Sequence, residues 1–304
     1  MYLEFAILLV LSLAPVALLL WYFDRLDKKN KESRIFLWSI FLWGFLVTLA
    51  AGGIEILLEY LFGNLFSDPL VKIFVTAFIF VAVVEEGLKY LVVKKKAYPH
   101  PAYNEYYDGV IYAVVASLGF AALENIFYVT DGGFSVGLIR AILSVPAHAL
   151  FGATMGYFMA LAKFSPNKEQ ERNYLFKAVL FPILLHGLYD YLLMSTTVYA
   201  MLVFPLLLGL YINIRRKINR LHVLDKTAEP FKPLKPVDYV KIFIGLVFFT
   251  FGALALFVVM LYVTGDSDVR TSLNTVEFDT LSTSIFGVLM MFISLKIIKW
   301  NSRK

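Results

Sequence analysis

The sequence predicts an all-α, polytopic membrane protein of about nine transmembrane helices, and three observations carry that expectation. The 304-residue chain is 60% hydrophobic and only 17% charged, against about 45–50% apolar and about 25% charged in soluble domains. Its apolar residues gather in runs close to the ~20 residues needed to cross a bilayer. Lys and Arg collect between alternate runs, as the positive-inside rule requires. Cysteine is absent, which removes disulfides, thiolate ligands and a cysteine nucleophile together. The formal charge of +5 reads as loop placement, so no nucleic-acid partner is expected.

In order, spans are expected at 3–23, 35–60, 70–93, 109–129, 136–162, 174–195, 197–214, 241–263 and 281–298. The first reads as a retained helix: no basic stretch precedes it, Glu4 stands there instead, and Trp21, Tyr22 and Phe23 end it before a basic loop. The run at 197–214 is short, contains Pro205, and is set off from its predecessor only by Ser195, Thr196 and Thr197. Residues 215–240, with Pro230, Pro233 and Pro236, read as a cytoplasmic linker. The chain therefore divides into a first helix and loop (1–34), a core of spans two to seven (35–214), the linker (215–240) and a two-span appendage (241–304).

The charge pattern gives an orientation. Loops at 24–34, 94–108, 163–177 and 215–241, with the tail from Lys296, hold 5, 3, 4, 8 and 4 basic residues, or 24 of 28. Lys72, Lys89, Arg140 and Arg270 are the others. These loops are expected in the cytoplasm, with the N-terminus outside and the C-terminus inside. A bacterial or archaeal cytoplasmic membrane is the expected location.

Ionisable residues inside apolar runs cost ~2.5–3.5 kcal/mol at a helix centre and persist for a reason. Span three carries Glu85, Glu86 and Lys89; span four Glu124 and Asn125; span five His148 and Gly152; span six His186, Gly187 and Asp190. The spacing of four in Glu85/Lys89, Phe120/Glu124, His148/Gly152 and His186/Asp190 puts each pair on one helix face. Lys89 is expected as a counter-ion to Glu85, and Asp190 as an acceptor that fixes the His186 tautomer. Gly152 and Gly187 remove bulk where helices or substrate must approach closely.

These residue types supply most of what peptide hydrolysis needs. Two histidines and a glutamate, here His148, His186 and Glu124, form a common three-ligand zinc shell, and a further glutamate serves as general base. A metal-free site is equally consistent, with a buried glutamate activating water and a histidine stabilising the oxyanion. The sequence does not choose between them. One feature opposes a single shell: counted from the loop edges, Glu85 and His186 lie about 13 Å from the cytoplasm, but His148 and Glu124 about 22–24 Å.

The ordered set Glu85-Glu86-x-x-Lys89, Phe120-x-x-x-Glu124-Asn125, His148-x-x-x-Gly152 and His186-Gly187-x-x-Asp190 resembles the PrsW family of membrane proteases, over roughly residues 35–215. That family is similar in turn to the type II CAAX prenyl endopeptidases. The resemblance implies proteolysis of a membrane-anchored protein substrate, in some bacteria an anti-sigma factor. It makes Glu85 and Glu86 candidates for water activation or metal binding, and His148 and His186 candidates for ligands or transition-state stabilisers. An ion- or proton-coupled transporter and a non-catalytic scaffold are the competing classes. A transporter predicts paired repeats, and the sequence shows none.

Other polar residues have simpler expectations. Glu55 and Glu59 read as interfacial, His100 and His222 as solvated loop residues, and Arg140 as snorkelling to the headgroups. Asp108 is expected to cap the fourth span.

Overall fold

The computed structural model describes residues 2–27, 31–195 and 197–225. The expected spans at 241–263 and 281–298 lie outside them. Among the described residues every regular element is helical. Four stretches, 8–26, 34–65, 106–163 and 168–195, are long and apolar enough to cross a membrane.

Helix α1 (Tyr2–Leu26) and helix α2 (Arg34–Phe62) follow the expected bounds closely. The expected third span, 70–93, falls within one continuous helical rod of four pieces: α3 (Pro69–Val75), a π-helical stretch (Thr76–Ala82), α4 (Val83–Val92) and a second π stretch (Val93–Ala97). Asp68 starts it by accepting from the Val71 N–H at 2.9 Å, with Pro69 in the first turn. Next come α5 (Tyr106–Ile142), α6 (Ser144–Lys163), α7 (Lys168–Ser195), the short α8 (Thr197–Ala200) and α9 (Val203–Leu224). Helix α9 is longer than the run at 197–214 and continues ten residues into the segment read as linker.

Helix α5 is the axis of the bundle. Tyr107 through Leu123 are buried without interruption, and the small residues among them let α1, α2 and α6 close on it. A Cβ on Gly44 would stand 2.1 Å from the Ala116 carbonyl oxygen, and one on Gly156 2.2 Å from that of Gly109. These are backbone-to-backbone contacts that only glycine permits. Helix α2 shows both environments: Leu37, Ile40, Gly44, Thr48 and Ala51 face inward, while Ile35, Trp38, Leu42, Leu46 and Leu49 are exposed on the other side, as lipid contact requires. The expected boundary between spans four and five falls at Gly133, whose φ of 73° breaks the helical path of α5.

The start of α5 is fully capped. Asp108 accepts from the Asn104 and Glu105 N–H groups at 2.8 and 2.7 Å, as expected. Asp225, at the end of α9, accepts from Tyr106 and Tyr107 at 2.7 and 3.0 Å. His222 is correspondingly not solvated: it is buried and stacks on the Tyr107 ring at 5.0 Å. His100 is not free either, since it stacks on Phe36 at 3.9 Å and accepts from the Ala102 N–H.

Candidate active site

Helices α4, α6 and α7 bring Glu85, Glu86, His148 and His186 together, each buried, with one ligand atom apiece inside 4.8 Å of the others. The depth offset counted from loop edges does not keep these residues apart in the folded protein. Helix α7 begins at Lys168, ahead of the expected 174, and the rod carrying Glu85 runs on to Ala97. Both shallow residues therefore sit farther along their helices than the loop edges implied.

Lys89 stands among these groups. Its Nζ donates to Glu85 Oε2 and Glu86 Oε1, each at 2.8 Å, and lies 3.0 Å from His148 Nδ1. It also sits 4.1 Å from the centre of the Phe120 ring. The expected pairing with Glu85 is present, and Glu86 shares it.

The two histidines are held alike. His148 turns Nδ1 inward to Lys89 and Nε2 outward, 2.8 Å from Glu124 Oε2. His186 turns Nδ1 inward, 2.9 Å from Glu86 Oε1, and Nε2 outward, 3.2 Å from Asp190 Oδ2. Each ring thus has an inner cluster nitrogen and an outer nitrogen facing a carboxylate. That is how metal-bound imidazoles are oriented. Phe151 stacks on His186 at 5.0 Å and Phe120 tilts over His148 at 6.0 Å, which walls the cluster with apolar rings.

Glu124 stands behind His148 and outside the group of four. Arg140 holds it there, with Nη2 2.9 Å from Glu124 Oε1 and Nε donating to Asn125 Oδ1 at 2.7 Å. Glu124 Oε2 and Arg140 Nη2 make close ionic approaches and have no directed hydrogen bond. Arg140 therefore does not snorkel: its side chain is 12% exposed and points into the protein. Asn125 ties α5 to α1, donating to the Ser12 carbonyl at 3.0 Å. A Cβ on Gly152 would meet the Ser117 hydroxyl at 2.5 Å, and one on Gly187 the Phe78 ring at 2.3 Å. The expected snorkelling of Arg140 gives way to this pairing, and an arginine within an apolar run is itself a signal of a buried partner.

The donor set fits a divalent cation. Two imidazole Nδ1 atoms and two carboxylates are ligands zinc accepts. The inner site already draws a cation, the Lys89 ammonium, and Glu86 Oε2 is buried with no hydrogen-bond partner. Glu85, Glu86, His148 and His186 thus form a group that could hold a metal ion.

Comparison with known proteins agrees with this geometry. Residues 32–212 match the model of the PrsW family intramembrane metalloproteases. Protease PrsW of Clostridioides difficile (strain 630) is 36% identical over 238 residues, covering 76% of this chain and 94% of that protein. Protease PrsW of Geobacillus kaustophilus (strain HTA426) is 34% identical over 69% of this chain and 89% of that protein. Protease PrsW of Bacillus subtilis (strain 168) is 34% identical over 65% and 88% respectively. No solved structure matches. The chain belongs to the PrsW family of intramembrane proteases and is a peptidase integral to a bacterial cytoplasmic membrane.

Proposed function

We propose that this peptidase hydrolyses peptide bonds of membrane-anchored protein substrates at the Glu85/Glu86/His148/His186 group. The observation that carries the reading is the convergence of four buried, chemically suited side chains from three helices within 4.8 Å. Glu86 is fully buried and engaged by both Lys89 and His186, which suits it to hold a metal ion together with the Nδ1 atoms of His148 and His186. Zinc bound there supplies Lewis-acid polarisation and a more acidic water. Glu85, bound through Oε2 alone, takes the proton from the attacking water and returns it to the leaving amine. Glu124 and Asp190 orient the two imidazoles from outside, and Arg140 holds Glu124.

A second reading is favoured by Lys89. Its ammonium contacts three of the four groups, so a metal-free site has its own positive charge beside the glutamates, with Glu85 or Glu86 activating water and His148 or His186 stabilising the oxyanion. Purified protein in liposomes with a single-span substrate tests both. Glu85→Ala, Glu86→Ala and His186→Ala are each expected to abolish cleavage; wild-type rates in all three would refute the site. Elemental analysis, chelator inactivation and zinc rescue support the metal-bound form, while full activity in metal-free protein supports the second.

A further inference from the structure

A cleft of about 890 Å³ lies where the far end of α2 meets α3, the first π stretch and the end of α7, lined in part by Glu55, Glu59, Lys72, Thr76, Phe80 and Met194. Its two acids differ. Glu59 is neutralised, with Lys72 Nζ 2.9 Å from Oε1 and the Thr76 hydroxyl donating to Oε2 at 3.4 Å. Glu55 has a buried Oε1 with no hydrogen-bond partner among the described residues. Phe80 and Val81, about one turn before Glu85 on the same helical rod, also line the cleft, so it adjoins the segment that carries the site. The cleft wall therefore carries one carboxyl group whose buried oxygen has no partner among the described residues.

A lone carboxylate inside a membrane protein is costly and marks a place where a partner arrives. The neighbouring backbone is open as well: a Cβ on Gly52 or Gly53, within one turn of Glu55 on α2, would meet no atom within 4 Å. An extended chain can lie against such a surface. We propose that this cleft receives the part of the substrate flanking the scissile bond, and that Glu55 is a specificity-determining residue that pairs with a lysine or arginine of that segment. The proposal rests on the protease reading above. Glu55, read from the sequence as interfacial, has one of its oxygens closed off inside the protein.

The test uses single-span substrates with Lys, Gln or Glu placed at successive positions around the scissile bond, presented to the full chain in liposomes. Because the protein has no cysteine, Ile56→Cys in the cleft lining gives a disulfide cross-link to a substrate cysteine that reports docking without cleavage. At one position the Lys substrate is expected to exceed the Gln substrate in kcat/KM and in cross-linking by about tenfold, the equivalent of ~1.4 kcal/mol. Glu55→Gln is expected to remove that ratio and Glu55→Lys to reverse it in favour of Glu. A Lys-to-Gln ratio that neither variant changes, at any position, overturns the proposal. Lys-dependent cross-linking without cleavage supports the cleft and refutes the protease reading; cleavage with no charge dependence does the opposite.

Discussion

Lys89 and Glu86 form a 2.8 Å ion pair in which both side chains are fully buried, one turn apart on the helix that also carries Glu85. One ammonium balances two adjacent carboxylates, so its removal leaves uncompensated charge in a low-dielectric interior. Breaking such a pair costs about 3–5 kcal/mol. Lys89→Met is expected to destabilise the protein by that order in detergent unfolding. The double variant Glu86→Gln/Lys89→Met is expected to lose less than the sum of the single changes.

Arg140 is linked to His148 through Glu124, at 2.9 and 2.8 Å. Loss of an outer partner of this kind typically costs about 10–100-fold in activity or metal affinity. Arg140→Gln is expected to lower cleavage within that range with the fold intact by circular dichroism. A headgroup-snorkelling arginine would leave the rate unchanged.

The crossing of α5 and α6 depends on Gly109 and Gly156. A side chain at Gly156 would run into the Gly109 backbone oxygen at 2.2 Å, and backbone cannot swing aside. Gly156→Leu is expected to cost at least about 1–3 kcal/mol, whereas Gly209→Ala, with nothing within 4 Å, is expected to stay within about 0.5 kcal/mol of the parent. Thermal unfolding of the two variants side by side checks the contrast.

Asp27, just beyond α1, is buried beside Glu32, and burial followed by that charge raises its carboxyl to about 6. The folded state then holds the proton more tightly than the unfolded chain. This contribution to stability is present below the ordinary value near 3.8 and is lost as pH rises to about 6. Unfolding between pH 4 and 6 is expected to show that decline, and Asp27→Asn to flatten it.

The helical class, the membrane environment and the chemistry-bearing residues were legible because charged and imidazole groups are rare in apolar runs. Four-residue spacing placed Glu85 with Lys89 and His186 with Asp190, and both pairs meet in the structure. What could not be read was partner choice between helices, which depends on tilt and rotation. Glu124 and Arg140 are 16 residues apart across the break at Gly133, and only that break turns them toward each other. His222 looked like a loop residue because α9 extends past its apolar run. Glu55 looked peripheral because its distance from the reaction centre is set by the packing of α2 on α4.

The proposed hydrolysis depends on Glu85, Glu86, His148 and His186 acting together. Cleavage of a single-span substrate by purified Glu85→Gln protein in liposomes tests it most directly, because the substitution keeps shape and removes the base. A loss of about 10²–10⁴-fold is expected, with substrate binding retained. A Glu85→Gln enzyme that cleaves at the parent rate would contradict it.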